Sequence, residues 1–471
     1  MNTVLLGVLG YVLFQLVVGF VVSRSIRSES DYLIAGRSLG YGLGIFTVFA
    51  TWFGAETVIG AAGSIYEEGL SGGSADPFGY ALCLLVMGFL FAVPLWNLRL
   101  TTLADLFRRR YSGGVERMAV VLMVPTSLLW AAAQIRAFGQ VLSASSDLEV
   151  TVTITLAAAV VVVYTVFGGL LADAWTDLVQ GIALIAGLVI LFGVLVMNGS
   201  VDHLAAVEPA RYSLTQRSLL GTVEAWAIPI CGSVLAAELV ARVIAMKNPT
   251  VARRSSLIAG SAYLAIGMIP VTIGLIGFEM VPGLEHPEQI LPLMAQQHLP
   301  ALLYTLFAGA LVSAILSTVD SALLVASSLI SHNIIVPLRP GMSEKMKVRI
   351  ARAGVATFGV IAYVVALHAE GVYALVEEAS AFGSAGIFTV IVFGLFTRVG
   401  ASGSAYASLS TGIVLWVLGA YVLELPYPYV TSLAGAMAAY GAGALLEGRQ
   451  AGNALQREAA PLRQDSHPAE R

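Results

Sequence analysis

The stretch "AGALVSAILSTVDSALLVASSLI", residues 308–330, is long and apolar enough to cross a bilayer, yet it carries Ser313, Ser317, Thr318, Asp320, Ser321, Ser327 and Ser328. In hydrocarbon every polar group needs a partner. Ala314, Ser317 and Thr318 stand at i, i+3 and i+4, on one helical face. Hydroxyls are hard oxygen donors without full charge. Combined with backbone carbonyls they suit a small alkali cation, held weakly enough to be released. A pair of carboxylates with many oxygens would suit Ca²⁺ instead. The same hydroxyls can also bond back to i−4 carbonyls or hold helices together.

Other residues could serve the same chemistry. The apolar stretch "FATWFGAETVIGAAGSIY" holds Gly54, Gly60 and Gly63 with the polar Thr51, Glu56 and Thr57. The stretch "VEAWAIPICGSVLAAELVAR" holds Pro229 and Gly232. Broken helices at matching places in two halves of a chain point to a binding site, because freed carbonyls and helix ends can coordinate an ion or solute. Gly and Pro also serve plain helix packing. Asp173, Asp177 and Asp320 are intramembrane carboxylates by position, or solvated and capping groups if they lie near the cytoplasmic ends. Arg136 is the one basic residue placed well inside a span, and a buried Arg needs an anion: a solute carboxylate, or Glu56.

The elements that position these residues are membrane helices. The 471-residue chain is 58% hydrophobic and 11% charged, against roughly 25% charged in soluble domains. The net charge of −4 gives no reason to expect nucleic acid. Cys83 and Cys231 lie in apolar runs and read as small buried hydrophobes. No metal-ligand His spacing, G-x-S-x-G or phosphate-binding loop occurs, so an enzyme is not expected. About thirteen apolar segments are long enough to span: 3–22, 41–66, 78–98, 117–143, 150–169, 174–197, 219–244, 255–280, 300–330, 350–369, 373–396, 402–421 and 427–446. Met1 to Val22 reads as a retained first span. Lys and Arg cluster in alternate connections, as at Arg99 to Arg117, Arg242 to Arg254 and Arg339 to Arg352, while the other side holds only Arg211 and Arg217. The positive-inside rule then puts the N-terminus outside and the C-terminus in the cytoplasm of a bacterial-type plasma membrane. A transporter domain over 1–448 and a disordered tail over 449–471 follow.

"SDYLIAGRSLG", "ATWFGAETVIGAAGSIYEEGLSG", "TTLADLFRRRYS", "YTVFGGLLADAWTDLVQ", "ELVARVIAMKNPTVARR", "SAILSTVDSALLVASSLISHNI" and "VEEASAFGSAGIFTVIVFGLF" occur in that order. Together they resemble the sodium:solute symporter family, over about Asp31 to Leu446. The resemblance implies an all-α polytopic protein of thirteen helices with a leucine-transporter-like 5+5 inverted repeat, the repeats falling at about 41–197 and 219–396. It implies a sodium site formed by the carbonyls of Ala50, Phe53 and Ala314 and the hydroxyls of Ser317 and Thr318. Asp177 matches a family Asp that affects sodium coupling. By position Trp52, Glu56 and Thr57 face the solute, with Trp226, Pro229 and Phe382 as further contacts. The expected activity is sodium-coupled symport of a small, carboxylate-bearing organic solute. An amino or imino acid such as proline would satisfy both Glu56 and Arg136; a monocarboxylate or a sugar are the alternatives. A transporter-like membrane sensor is the alternative from another class.

Overall fold

The computed structural model describes residues 27–144, 148–215, 218–369 and 371–459, together with Gly10, Leu13, Val17 and Val21. Arg217 and most of the span expected at 3–22 lie outside the described residues.

The described chain is helical nearly throughout, with no strand among the described residues beyond the single bridge Leu39–Met246. Helix α1 (Tyr41–Trp52) stops where Phe53 takes φ −87°, ψ 70°. A π turn at Glu56–Ala61 resumes the path into α2 (Ala62–Glu68). Helix α3 (Tyr80–Val86) extends through a π turn, Met87–Phe91, to Asn97. Then come α4 (Gly113–Ala144), α5 (Val150–Gly168) and α6 (Leu170–Met197). The second broken element is α7 (Leu219–Ala227), a π turn at Ile228–Gly232 and α8 (Ala237–Ala245), bent by 43°. Helix α9 (Pro249–Met280) begins on an Asn248 cap that accepts from the Val251 amide, with Pro at its first position, the pairing expected of a firm helix start. Helices α10 (Ala301–Ile330), α11 (Glu344–His368), α12 (Val372–Ala381), α13 (Ser384–Phe396), α14 (Ser402–Val417) and α15 (Pro428–Ala459) complete the chain.

Nine helical stretches among the described residues are long and apolar enough to cross a membrane, or ten if the bent α7–α8 pair counts as one. The expected thirteen divide differently here: most of 3–22 lies outside the described residues, and the stretch at 41–66 is divided by the break that follows the 12 residues of α1. Helix α5 runs 19 residues. Helix α15 continues to Ala459, so the segment read as a polar tail starts as helix; residues 460–471 lie outside the described ones.

Helix α10 sits at the centre, against α4, α6 and α11. From Phe307 to Leu329 its described side chains are buried. A helix enclosed by protein can carry hydroxyls, since neighbouring helices supply the partners that lipid lacks. The outer helices turn apolar side chains outward, Ile182, Val189 and Ile190 of α6 among them.

Candidate functional site

The hydroxyl face of α10 meets the break of α1. Thr318 Oγ1 lies 3.4 Å from the Ala50 carbonyl oxygen and 3.4 Å from that of Ala314. These are long for hydrogen bonds. Oxygens that share one small hard cation at about 2.4 Å stand about 3.4 Å apart when at right angles. Ser317 donates its hydroxyl hydrogen to Asp177 Oδ1, and Thr47 Oγ1 donates to Asp177 Oδ2 at 2.5 Å. A serine fixed as donor keeps its lone pairs for another partner. Asp177 and Ser317 are fully buried. Phe53 sits in the break itself, and its non-helical torsions turn its carbonyl out of the α1 ladder.

A second group of side chains lies just beyond the break. Trp52 stacks on Trp130 with centroids 5.1 Å apart and planes at 17°. Tyr80 closes on both, at 6.3 and 6.2 Å. Two buried carboxylates stand beside this aromatic wall. Glu56 accepts from Gln134 Nε2 at 2.6 Å through Oε2, while its Oε1 has no hydrogen-bond partner among the described residues. Asp76 accepts from Thr57 Oγ1 at 2.7 Å and from the Tyr263 hydroxyl at 3.0 Å; that hydroxyl also reaches the Trp52 carbonyl at 3.0 Å. A cavity of about 20 Å³ lies between Glu56, Asp76, Tyr80, Ala225, Ile228 and Pro229. It has room for a water but not for an organic solute, so a solute enters only if the lining elements move apart.

Thus Trp52, Glu56, Thr57 and Pro229 come together, and Trp226 is half-buried beside Ala225 of the cavity wall. Phe382 does not line this cavity. It sits at the α12–α13 break and its ring meets Trp416 edge-on at 5.6 Å. Arg136 is also elsewhere. Its Nη1 donates to the Ala366 carbonyl at 3.1 Å, and it lines a separate cavity of about 470 Å³ with Glu288 and His286. The partner that α4 gives Glu56 is Gln134, two residues earlier. At about 100° per residue, positions 134 and 136 point to different sides of one helix.

Arg136 is half-buried, whereas another guanidinium is enclosed. Arg242, read from sequence as part of a cytoplasmic cluster, is fully buried in α8, where it pairs with Asp173 and donates to Ser321. Asp320 accepts from Thr165. Of the two readings left open for Asp173, Asp177 and Asp320, enclosed or solvated at helix ends, the residues take the enclosed one: Asp173 and Asp320 are 4% exposed and Asp177 is 0%. Asp76, Gln134, Trp130 and Tyr263 had no motif to mark them. The only sign available was polarity inside an apolar run.

Two broken helices in a helical bundle, with a hydroxyl face against one break and an aromatic and acidic wall beside it, define a multi-pass membrane transporter of the leucine-transporter fold. Solved structures agree. The chain superimposes on a Na⁺-coupled sialic acid symporter, in a substrate-bound outward-open state, with a TM-score of 0.79 over 93% of this chain and 96% of that one, at 18% identity. A nucleobase-cation-symport-1 family transporter in a closed conformation gives 0.59 over 88% and 94%, at 15% identity. The sequence profile of the sodium:solute symporter family matches residues 32–412, and the chain belongs to that family. It is a transporter and not an enzyme, and sodium is the coupling ion of its family. Similar curated proteins include high-affinity choline transporter 1 of Torpedo marmorata, 29% identical over 90% of this chain and 78% of that protein. The Homo sapiens protein of that name is 28% identical over 86% and 73%. A sodium/proline symporter of Staphylococcus aureus is 25% identical over 86% and 84%.

Proposed function

We propose that the chain is a sodium-coupled importer of a small organic cation bearing an ammonium group, choline being the first candidate. The supporting observation is the wall of Trp52, Tyr80 and Trp130 beside Glu56 and Asp76. Aromatic faces attract ammonium groups, quaternary ones above all, by roughly 0.5–2 kcal/mol per contact. Two enclosed carboxylates beside the wall give an ammonium group its acidic partners. A solute carboxylate has no cation beside it in this group, since Arg136 lines the other cavity. The zwitterionic solute expected from sequence thereby loses one of its two partners.

Sodium binds the carbonyls of Ala50, Phe53 and Ala314 and the hydroxyls of Ser317 and Thr318, with Asp177 orienting Ser317. It fixes the α1 break, the solute docks against the aromatic wall, and rocking of the repeats 41–197 and 219–396 exposes both to the cytoplasm. With the N-terminus outside, the 470 Å³ cavity opens outward. Sodium and a cationic solute are both driven in by an inside-negative potential, each by roughly 2.3 kcal/mol per 100 mV.

Uptake of labelled choline and labelled proline into proteoliposomes tests the proposal. Choline accumulation that requires a sodium gradient and rises with inside-negative potential supports it. Proline accumulation without choline restores the zwitterion reading. Binding of either without transport makes the chain a sensor.

A further inference from the structure

Gly54 lies at the point where the two halves of the site touch. A Cβ added there would stand 2.9 Å from Thr318 Oγ1, 2.9 Å from Glu56 Oε2 and 3.2 Å from Gln134 Oε1. The cation-side hydroxyl, the solute-side carboxylate and one amide therefore crowd against a single backbone position. Gln134 is fully buried in α4 and uses both ends of its amide. Its Nε2 donates to Glu56 Oε2 at 2.6 Å, and its Oε1 accepts from the Ala55 backbone N–H at 3.3 Å. Ala55 follows Phe53 and Gly54, the residues of the break, so the amide joins the break to the carboxylate.

We propose that Gln134 is a positioning residue that carries coupling between sodium and solute. Sodium fixes the path of residues 50–55; the Ala55 amide fixes the Gln134 side chain; and Gln134 then holds Glu56 with its second oxygen turned to the solute. Without sodium the break can shift, and Glu56 shifts with it. By linkage, the solute tightens sodium through the same contacts and by the same factor. This inference rests on the sodium-symporter reading above.

The test measures labelled choline affinity of the reconstituted full chain in saturating sodium and in potassium. In the wild type, sodium should tighten choline roughly 5- to 150-fold. Gln134→Met keeps the side-chain length and removes both hydrogen bonds, and should bring that ratio to within about twofold of unity. Gln134→Glu faces one carboxylate with another and should do the same. The double change E56Q/Q134E exchanges donor and acceptor and should restore the ratio. Wild-type ratios in both single variants overturn the inference while leaving the transport reading intact. Should Gln134→Met not fold, the exchanged pair decides: a restored ratio supports the inference, and one equal to that of Gln134→Glu overturns it. A wild-type protein without sodium-dependent choline binding removes the choline reading, and this inference, stated for choline, with it.

Discussion

Ser317 donates to Asp177 across 140 residues of chain. The hydroxyl face of α10 is thereby oriented by a carboxylate on α6. Hydrogen bonds to charged groups contribute roughly 1.5–3 kcal/mol. Asp177→Ala should therefore raise the sodium concentration for half-maximal uptake at least about tenfold, with a smaller effect on the solute constant at saturating sodium. A sodium titration of uptake checks this, and an unchanged midpoint would show that Ser317 is oriented without Asp177.

Thr318 offers a hydroxyl between two carbonyls. Thr318→Val keeps the shape and removes the oxygen; Thr318→Ser keeps the oxygen and removes a methyl. The first should abolish sodium-driven uptake at physiological sodium. The second should retain it within a few-fold. Equal losses in both would point to packing and away from coordination.

Gly54→Ala places a methyl 2.9 Å from both Thr318 Oγ1 and Glu56 Oε2. Overpacking of this kind costs roughly 1–3 kcal/mol. Sodium and solute affinity should fall together by about tenfold or more in the same titrations, because one atom intrudes on both groups.

Arg242 and Asp173 form a buried ion pair. Removing one partner strands the other, at roughly 3–5 kcal/mol. Arg242→Met should lower the melting temperature more than Arg242→Met with Asp173→Leu, which removes both charges. Thermal unfolding in detergent measures the order, and the reverse order would mean the pair is solvated.

Asp105 lies outside the spans, where it accepts from the Thr101 and Thr102 amides at 2.8 and 3.1 Å and from Asn333 Nδ2 at 3.0 Å, beside His332. Burial pushes its carboxyl up, but the His332 contact and the two amides outweigh burial and hold it below the ordinary value of 3.8. A carboxyl lowered by folding contributes stability that is full above its unfolded value and is lost as pH falls through its folded value. Stability of the wild type should accordingly drop below about pH 4, and drop less in Asp105→Asn. Matching acid profiles for the two proteins would remove Asp105 from the account.

Sequence alone determined the membrane-helical class, the break at Gly54 and the hydroxyl face at Ala314, Ser317 and Thr318, and its ordered motifs carried the family. Those features are local: a helix needs only its own periodicity and composition, and a break needs only its own Gly or Pro. Tertiary structure decided which faces meet. It brought Gln134 to Glu56 from 78 residues away and Tyr263 to Thr57 from 206. It closed Tyr80 and Trp130 around Trp52, buried Arg242 against Asp173, and set Arg136 in a different cavity. Helical spacing fixes the direction of a side chain around its own axis, whereas its partner depends on how the helices pack, and the polarity of one segment does not encode that.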